Sequence, residues 1–145
     1  MIEREEIMQI KKETPTVDTY LELREKVGWK KLSRTQAQRA LDNSLAVFVA
    51  YDNEEPVGMG RLVGDGAVIC YIQDLIVIPR NQKSGVGSEL IEALISEVSE
   101  ISEDNTEMML ALMCAKGREE FYHKHGFISR PTKDLGPGMI RYLKK

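Results

Sequence analysis

Residues 75–87 have the sequence Leu-Ile-Val-Ile-Pro-Arg-Asn-Gln-Lys-Ser-Gly-Val-Gly, and this stretch decides the interpretation of the whole chain. Its first four residues are apolar, which is typical of a buried strand. From Gly85 onward the apolar residues follow the helical period, on one face made of Leu90, Ile91, Leu94, Ile95 and Val98. The stretch therefore predicts a buried strand, a tight turn and an amphipathic helix in direct succession.

The turn between this strand and helix has the features of a phosphate site. The first amides of a helix have no intrahelical partner and carry the positive end of its dipole. Gly85 and Gly87 would let a phosphate approach the backbone, and Lys83 adds a positive charge. Two glycines that merely ease a tight turn remain the alternative. A Walker loop is excluded by spacing, and a dinucleotide fingerprint is excluded because Leu90 stands where its third glycine would be.

The remaining elements follow from periodicity and turn signals on both sides of this stretch. A strand is predicted at 5–12, and a helix that begins at Thr14-Pro15 and ends near Gly28. A capping box at residues 33–36 opens a second helix. The later elements are predicted strands at 45–51, 56–63, 67–78, 108–114 and 138–143, with short helix 118–124 closed by Gly126. The order β-α-α-β-β-β-α-β-α-β predicts an α/β layer structure with a mixed sheet.

Composition predicts one domain over residues 1–145 and excludes several function classes. The chain has 145 residues, is 42% hydrophobic and carries a formal net charge of −3, which argues against nucleic acid as a partner. No apolar stretch reaches the roughly 20 residues that span a bilayer, so we expect no membrane partner. Residues 1–6 mix charges without a following apolar run, so we expect no secretion signal and a cytoplasmic location.

The two cysteines, Cys70 and Cys114, lie in apolar, strand-like segments and are expected to be small buried residues. A disulfide remains open if neighbouring strands bring them together. No metal-ligand spacing is present, and His123 and His125 are two positions apart, so they point in different directions on a helix. We therefore expect no metal.

Two motifs together resemble those of the GNAT superfamily of acetyl-CoA-dependent N-acetyltransferases. The first is Leu-Ile-Val-Ile-Pro at 75–79 with Gln82-x-x-Gly85-x-Gly87, and the second is Phe-Tyr-His-Lys-His-Gly-Phe at 121–127. The resemblance implies the GNAT fold, a mixed and mostly antiparallel sheet with helices on both faces. It also implies acetyl-CoA as co-substrate and direct transfer to an amine, without a metal.

The resemblance assigns cofactor-binding residues along the strand and the turn. Leu75, Ile76 and Val77 are expected to contact pantetheine, and the Val77 amide to polarise the thioester carbonyl. The residues expected to wrap the pyrophosphate are Gln82, Lys83, Ser84, Gly85, Val86, Gly87 and Ser88.

Two catalytic residues are expected, each with a structural alternative. Tyr122 matches the family's general acid, and a phenol can protonate a departing thiolate; the alternative is a half-buried helix aromatic. Asp74 is the carboxylate inside the long strand and a candidate general base, or else the partner of an arginine such as Arg61. Tyr71 stands where some members have a catalytic carboxylate, and Ala115 where many have Asn. A base elsewhere or an ordered water is therefore also open.

The acceptor is expected to be a small-molecule or peptide amine, and Trp29 is a candidate for lining its pocket, with a packing role as the alternative. A homodimer is a further expectation. A non-catalytic CoA- or acyl-CoA-binding regulatory module is the alternative function, because it would keep the turn without a base. A nucleotide-binding regulator is disfavoured because the turn matches neither nucleotide motif.

Overall fold

A computed structural model describes residues 8–145, so residues 5–7 of the predicted first strand lie outside the described part of the chain. The chain divides into two units, one ending at Met113 and the other spanning Cys114–Lys145. In the first unit five strands form one sheet in the order β1-β2-β3-β4-β5. They are β1 Met8–Lys12, β2 Ala46–Asp52, β3 Glu55–Gly64, β4 Ile69–Val77 and β5 Met109–Leu112. Neighbouring strands are antiparallel except β4 and β5, which are parallel.

Three α-helices belong to the same unit as this sheet, and the first two begin directly after a residue whose side chain caps the helix. Helix α1 spans Val17–Lys26 and begins after Thr16, whose hydroxyl accepts a hydrogen bond from the Thr19 amide at 3.1 Å. The predicted start at Thr14-Pro15 is therefore two residues early, whereas the predicted end near Gly28 is confirmed, because Val27 is the C-cap and Gly28 follows it with a left-handed φ of +70°. Helix α2, Arg34–Asp42, begins at Ser33 as predicted, because the Ser33 hydroxyl accepts from the Gln36 amide. Helix α3 spans Val86–Ile101.

Helices cover both faces of the sheet. On one face α3 packs on β3 so closely that an added Cβ at Gly58 would lie 3.2 Å from Leu90, and one at Gly60 would lie 2.7 Å from Leu94. On the other face Arg61 reaches the carbonyl of Ala40 in α2. β3 is accordingly buried without interruption from residue 57 to residue 62. The predicted mixed, mostly antiparallel sheet with helices on both faces is confirmed.

The strand predicted as buried, β4, is not the one that is buried throughout. β4 alternates between buried and half-buried residues, whereas β3 lies at the middle of the sheet. β4 has only the four-residue β5 beyond it, so its apolar run does not mark burial on both faces. β5 has half-buried residues and an exposed Met109.

The second unit contains one short helix, α4, at Glu119–His123, and Gly126 follows it with a left-handed φ of +89°. The predicted strand at 138–143 is wrong, because these residues have no regular secondary structure and are exposed. Cys114 is exposed rather than buried, since it follows the end of β5, and both cysteines are free thiols. Among residues 8–145 no helix is long and apolar enough to cross a bilayer.

Candidate functional site

The C-terminal half of β4 presents backbone groups on the side away from β3. The pairing of β4 with β5 ends at Ile72 and Leu112, while β4 continues to Val77. The Ile78 amide donates to the Val57 carbonyl at 2.9 Å, so it points towards β3. Because successive residues of a strand direct their backbone groups to opposite edges, the amide and carbonyl of Val77 point to the other edge. The amide and carbonyl of Leu75, two residues before Val77, point to the same edge.

A β-bulge lies at the start of this segment. The register of β3 and β4 shifts by one residue between the pair Arg61–Gln73 and the pair Met59–Ile76. Asp74, inside the bulge, has a φ of +57°, a left-handed conformation that costs a non-glycine residue free energy and is kept only where other contacts hold it. The bulge re-aims the strand just before the backbone groups of Leu75 and Val77.

The turn after β4 connects directly to α3. Pro79–Asn81 form a single 3-10 turn, and the Gln82 side chain folds back to donate to the Val77 carbonyl at 2.9 Å. Gly85 has a φ of +90°, which suits glycine, and it precedes the first residue of α3. No side chain caps the N-terminus of α3. The first amides of this helix therefore depend on a partner other than a capping side chain.

This turn is open and positively charged, so its residues fit an anion such as a phosphate. Residues 82–85 are exposed, and an added Cβ at Gly85 would find no atom within 4 Å. No acidic residue occurs from Ile78 to Ser88. The guanidinium of Arg80 is 2.5 Å from Glu55, so its charge is neutralised by that carboxylate. Lys83 is then the residue that supplies the positive charge of the turn. The helix dipole, the open glycine backbone and the positive charge of Lys83 all favour binding of an anion at this turn.

Asp74 is the centre of a buried cluster that joins the sheet to α1. Its Oδ1 lies 2.7 Å from an Arg24 guanidinium nitrogen, and its Oδ2 lies 2.8 Å from the Arg61 Nε. The Tyr20 hydroxyl donates a hydrogen bond to the same Oδ2. The Asp74 side chain is fully buried, so both carboxylate oxygens are occupied by protein donors. This geometry matches the predicted pairing with Arg61 and adds two contacts from α1.

Trp29 lies on the connection between α1 and α2, beside the same cluster. Its ring is 5.5 Å from the Arg24 guanidinium, a cation–π distance, and its amide donates to the Arg24 carbonyl. The side chain remains 37% exposed. Trp29 is thus fixed from one side and presents a surface on the other.

Tyr122 belongs to the second unit, on α4. Its ring meets those of Phe121 and Phe127 edge to face, with centroid distances of 5.0 Å and 5.9 Å. Burial, together with the nearby Cys114 thiol, raises the pKa of Tyr122 to about 12. The hydroxyl therefore stays protonated at neutral pH. Although Cys114 is an exposed residue, partial desolvation of its sulfur and the charge of Glu119 raise the pKa of its thiol, so this cysteine is not an activated nucleophile.

Comparison with known families settles the identity of the fold. The family model for the acetyltransferase (GNAT) domain matches residues 43–129, which include β4, the turn, α3 and α4. The chain belongs to the GNAT acetyltransferase family. The resemblance drawn from the two sequence motifs is confirmed.

Three relatives show how far the similarity extends. A GNAT family acetyltransferase from Streptococcus pneumoniae has 31% identity and a TM-score of 0.81, with 96% of this chain and 100% of that chain covered. A Staphylococcus aureus protein described as a probable acetyltransferase has 28% identity and a TM-score of 0.82 over the same shares. A chloroplastic GCN5-related N-acetyltransferase of Arabidopsis thaliana is 30% identical over 79% of this chain and 57% of its own length. The chain thus spans about half to three fifths of the curated relatives' length.

Sequence reasoning missed four residues that shape this GNAT site. Tyr20 and Arg24 are four positions apart on α1, so they lie on the same helix face, which is the available signal for their shared contact with Asp74. Gly58 and Gly60 alternate along β3 and face α3, and alternating glycines in a strand are a signal of close approach by another element.

Proposed function

We propose that this protein transfers an acetyl group from acetyl-CoA to a primary amine by direct attack. The single observation that carries the proposal is the arrangement of β4 and α3. The outward backbone groups of Leu75 and Val77 lead directly into an open, basic helix N-terminus at Gly85. A linear ligand with a phosphate at one end and an amide chain at the other matches both parts of this surface. Membership of the GNAT family supports the same ligand.

The proposed cofactor contacts follow the chain. Backbone groups of Leu75 and Val77 would bond the pantetheine amides, and Ile76, whose side chain is buried, would keep the strand in place. The pyrophosphate would be held by the turn and the first residues of α3, that is by Gln82, Lys83, Ser84, Gly85, Val86, Gly87 and Ser88. Helix amides are suited to this role because they are fixed before the anion arrives.

Acetyl transfer needs a donor for the oxyanion and an acid for the leaving group. The amine nitrogen attacks the thioester carbon, and the developing oxyanion would be stabilised by the Val77 amide. The carbon–sulfur bond then breaks, and the CoA sulfur would take a proton from the Tyr122 hydroxyl. With a pKa of about 12, Tyr122 is a weaker acid than an ordinary phenol but is fully protonated when transfer begins. No covalent enzyme intermediate is needed.

The contacts of Asp74 support a structural role more than that of a general base. A base needs a lone pair within reach of the substrate ammonium. Both oxygens of Asp74 already accept from Arg24, Arg61 and Tyr20, and the side chain is buried. We propose that Asp74 holds the bulge of β4 in place and that an ordered water takes the proton of the ammonium.

We further propose the class of acceptor, the location of the enzyme and its oligomeric state. A small-molecule or peptide amine would approach the connection between α1 and α2, where Trp29 presents its exposed edge. Residues 1–145 would act as one acetyltransferase domain in the cytoplasm, with two copies forming a homodimer. The family model, which covers residues 43–129, supports the central part of this domain.

A non-catalytic CoA- or acyl-CoA-binding regulatory module remains the second candidate. The observation that favours it is the cluster at Asp74, because the carboxylate predicted as the base has no unoccupied oxygen. Such a module would use the same turn and the same edge of β4. It would bind acetyl-CoA without releasing CoA.

Release of the free CoA thiol, measured with acetyl-CoA and a panel of amines, separates the two candidates. The panel includes polyamines, amino sugars, peptides with a free N-terminus and lysine peptides, and each is compared with a reaction lacking amine. Release that depends on one class of amine and on the enzyme supports the transferase. Tight binding of acetyl-CoA without release for any amine supports the regulatory module.

A further inference from the structure

Asn81 is the buried residue of the turn that joins β4 to α3. It is 8% exposed, whereas the other residues of 79–85, a stretch that the structure describes completely, are exposed. A segment with so little buried surface has few contacts that fix its backbone, and such segments open locally at a low free energy. The contacts of Asn81 therefore largely determine where this turn lies.

The side chain of Asn81 joins the turn to the hairpin of β2 and β3. Its Nδ2 donates to the Oδ2 of Asp52, the last residue of β2, at 3.3 Å, and its Oδ1 accepts from the Nε of Arg80 at 3.1 Å. Arg80 in turn pairs with Glu55, the first residue of β3, at 2.5 Å. Asp52 and Glu55 are themselves cross-strand partners at the end of the hairpin. Both polar groups of the Asn81 side chain therefore connect to the same hairpin end, one directly and one through Arg80.

The backbone of Asn81 organises the exposed part of the turn. Its carbonyl accepts a hydrogen bond from the Ser84 hydroxyl, which encloses Gln82 and Lys83 between the two bonded residues. Lys83 has a φ of +65°, a left-handed conformation that a non-glycine residue keeps only where surrounding contacts hold it. The one hydrogen of the Ser84 hydroxyl is used in this bond, so Ser84 would meet an anion with its backbone amide.

The residues proposed to hold the pyrophosphate begin directly after Asn81 and continue into α3. At the far end α3 is fixed, because it packs against Gly58 and Gly60 of β3. At the near end the exposed residues 82–85 depend on Asn81. Backbone amides bind an anion strongly when they are in place beforehand, whereas ordering a loose turn on binding lowers the affinity. The hydrogen bonds of Asn81 therefore bear on the affinity for the phosphate-bearing part of the cofactor.

We propose that Asn81 is a positioning residue for acetyl-CoA, and that its hydrogen bond to Asp52 holds the turn in the geometry that receives the pyrophosphate. Asn81 acts through the backbone of residues 82–85 and contacts no reacting atom. The inference rests on the proposed function, since it requires that acetyl-CoA binds at this turn. The hairpin end at Asp52 and Glu55 is then the support of the cofactor site, although neither carboxylate contacts the cofactor.

Asn81→Ala, measured with two ligands, tests the positioning role. Acetyl-CoA is titrated by calorimetry, and S-acetylpantetheine, which has the same thioester arm without the pyrophosphate, is measured by competition against it. We expect the dissociation constant of acetyl-CoA to rise about tenfold, as for one lost hydrogen bond, and that of S-acetylpantetheine to stay within about twofold. Asn43→Ala, which removes a side-chain amide bonded to the Arg39 carbonyl at the end of α2, is the matched control and should change neither. A loss of folded protein would weaken both ligands by the same factor, and that result would overturn the proposal.

Two variants of Asp52 test the hydrogen bond separately from the charge. Asp52→Asn keeps an oxygen that can accept from Asn81, so it should bind acetyl-CoA nearly as the wild type does. Asp52→Ala removes the acceptor and should weaken binding as Asn81→Ala does, and the double variant should be no weaker than either single one. Tighter binding by both Asp52 variants would show that the carboxylate acts only by repelling the anion, and would overturn the proposal. Unchanged binding in Asn81→Ala would overturn this inference alone, whereas absence of binding by the wild type would contradict the proposed function as well.

Discussion

The Nε of Arg61 lies 2.8 Å from the Oδ2 of Asp74, and this ion pair joins β3 to β4 where their register shifts by one residue. The pair is buried, and Arg24 and Tyr20 bring α1 to the same carboxylate. Asp74 has a left-handed backbone, which the surrounding contacts hold in place. The cluster therefore fixes the part of β4 whose backbone groups are proposed to meet the cofactor.

Asp74→Asn is expected to destabilise the protein strongly, by about 3–5 kcal/mol, because it leaves two buried guanidinium groups without a counter-charge. The free energy of unfolding from urea titration measures this. Asp18→Asn is the matched control, since Asp18 pairs with Arg34 at an exposed site with side-chain exposures of 70% and 64%. Asp18→Asn should lower the free energy of unfolding by less than about 1 kcal/mol. Equal losses in the two variants would contradict the central role given to Asp74.

The raised pKa of the buried Tyr20 predicts that the folded protein loses stability at high pH. Burial, reinforced by the hydrogen bond to Asp74, raises the pKa of Tyr20 from 10.0 to about 12. A pKa that is higher in the folded than in the unfolded state gives stability that is complete below the unfolded value and is lost as the pH rises through the folded one. The free energy of unfolding should therefore fall between pH 10 and about 12.

Tyr20→Phe should remove part of that slope, and at neutral pH it should cost roughly 1.5–3 kcal/mol through the lost hydrogen bond to a charged group. Denaturant titrations at a series of pH values measure both effects. Tyr142→Phe, at a side chain that is 76% exposed, is the control. A slope unchanged by Tyr20→Phe would show that other groups cause the alkaline loss.

Tyr122→Phe is expected to lower kcat by about 10²–10⁴-fold and to leave the affinity for acetyl-CoA within about twofold of the wild type, since the phenol acts on the leaving sulfur. The wild-type rate should not fall through Tyr122 below about pH 10, because its pKa is about 12. Steady-state kinetics and calorimetry check the two parts. Tyr51→Phe is the control, because Tyr51, on β2, donates its hydrogen bond to Glu13 and lies outside the proposed site. An unchanged kcat in Tyr122→Phe would remove the residue from the mechanism.

The two cysteines should differ in their reaction with a thiol reagent in the folded protein. Cys70 is buried within β4 and Cys114 is exposed. We expect one thiol to react under native conditions and both to react in denaturant, and Cys114→Ser should abolish the native reaction. Two reactive thiols in the folded wild type would contradict the burial of Cys70.

Local sequence signals predicted the elements that are defined by local contacts. The Ser33 cap and the apolar face of α3 each depend on residues within a few positions, and each is present. The start of α1 was predicted two residues early because Pro15 resembles a first helical residue, whereas the Thr16 hydroxyl supplies the cap. Competing caps this close in sequence differ little in free energy.

Features that depend on distant contacts were not predictable in this way. The bulge at Asp74 and its contacts with Tyr20 and Arg24 arise from residues about 50 positions apart. The alternation at 138–143 predicted a strand, whereas these residues have no regular secondary structure, because an alternating pattern alone does not supply the hydrogen bonds of a strand pair. The exposure of Cys114 likewise follows from where β5 ends.

Calorimetric titration of the purified protein with acetyl-CoA, compared with Gly85→Glu, tests the central claim most directly. In Gly85→Glu the folded chain would present a carboxylate at the open turn where the phosphate is proposed to bind. Gly85→Ala is the control for the left-handed backbone, which alone should cost about 1–3 kcal/mol of stability. The account predicts micromolar binding by the wild type, on the order of −8 kcal/mol, weaker but measurable binding by the alanine variant, and none by a folded glutamate variant. Absence of binding by the folded wild type, or equal binding by all three proteins, would contradict the assignment of this turn to acetyl-CoA.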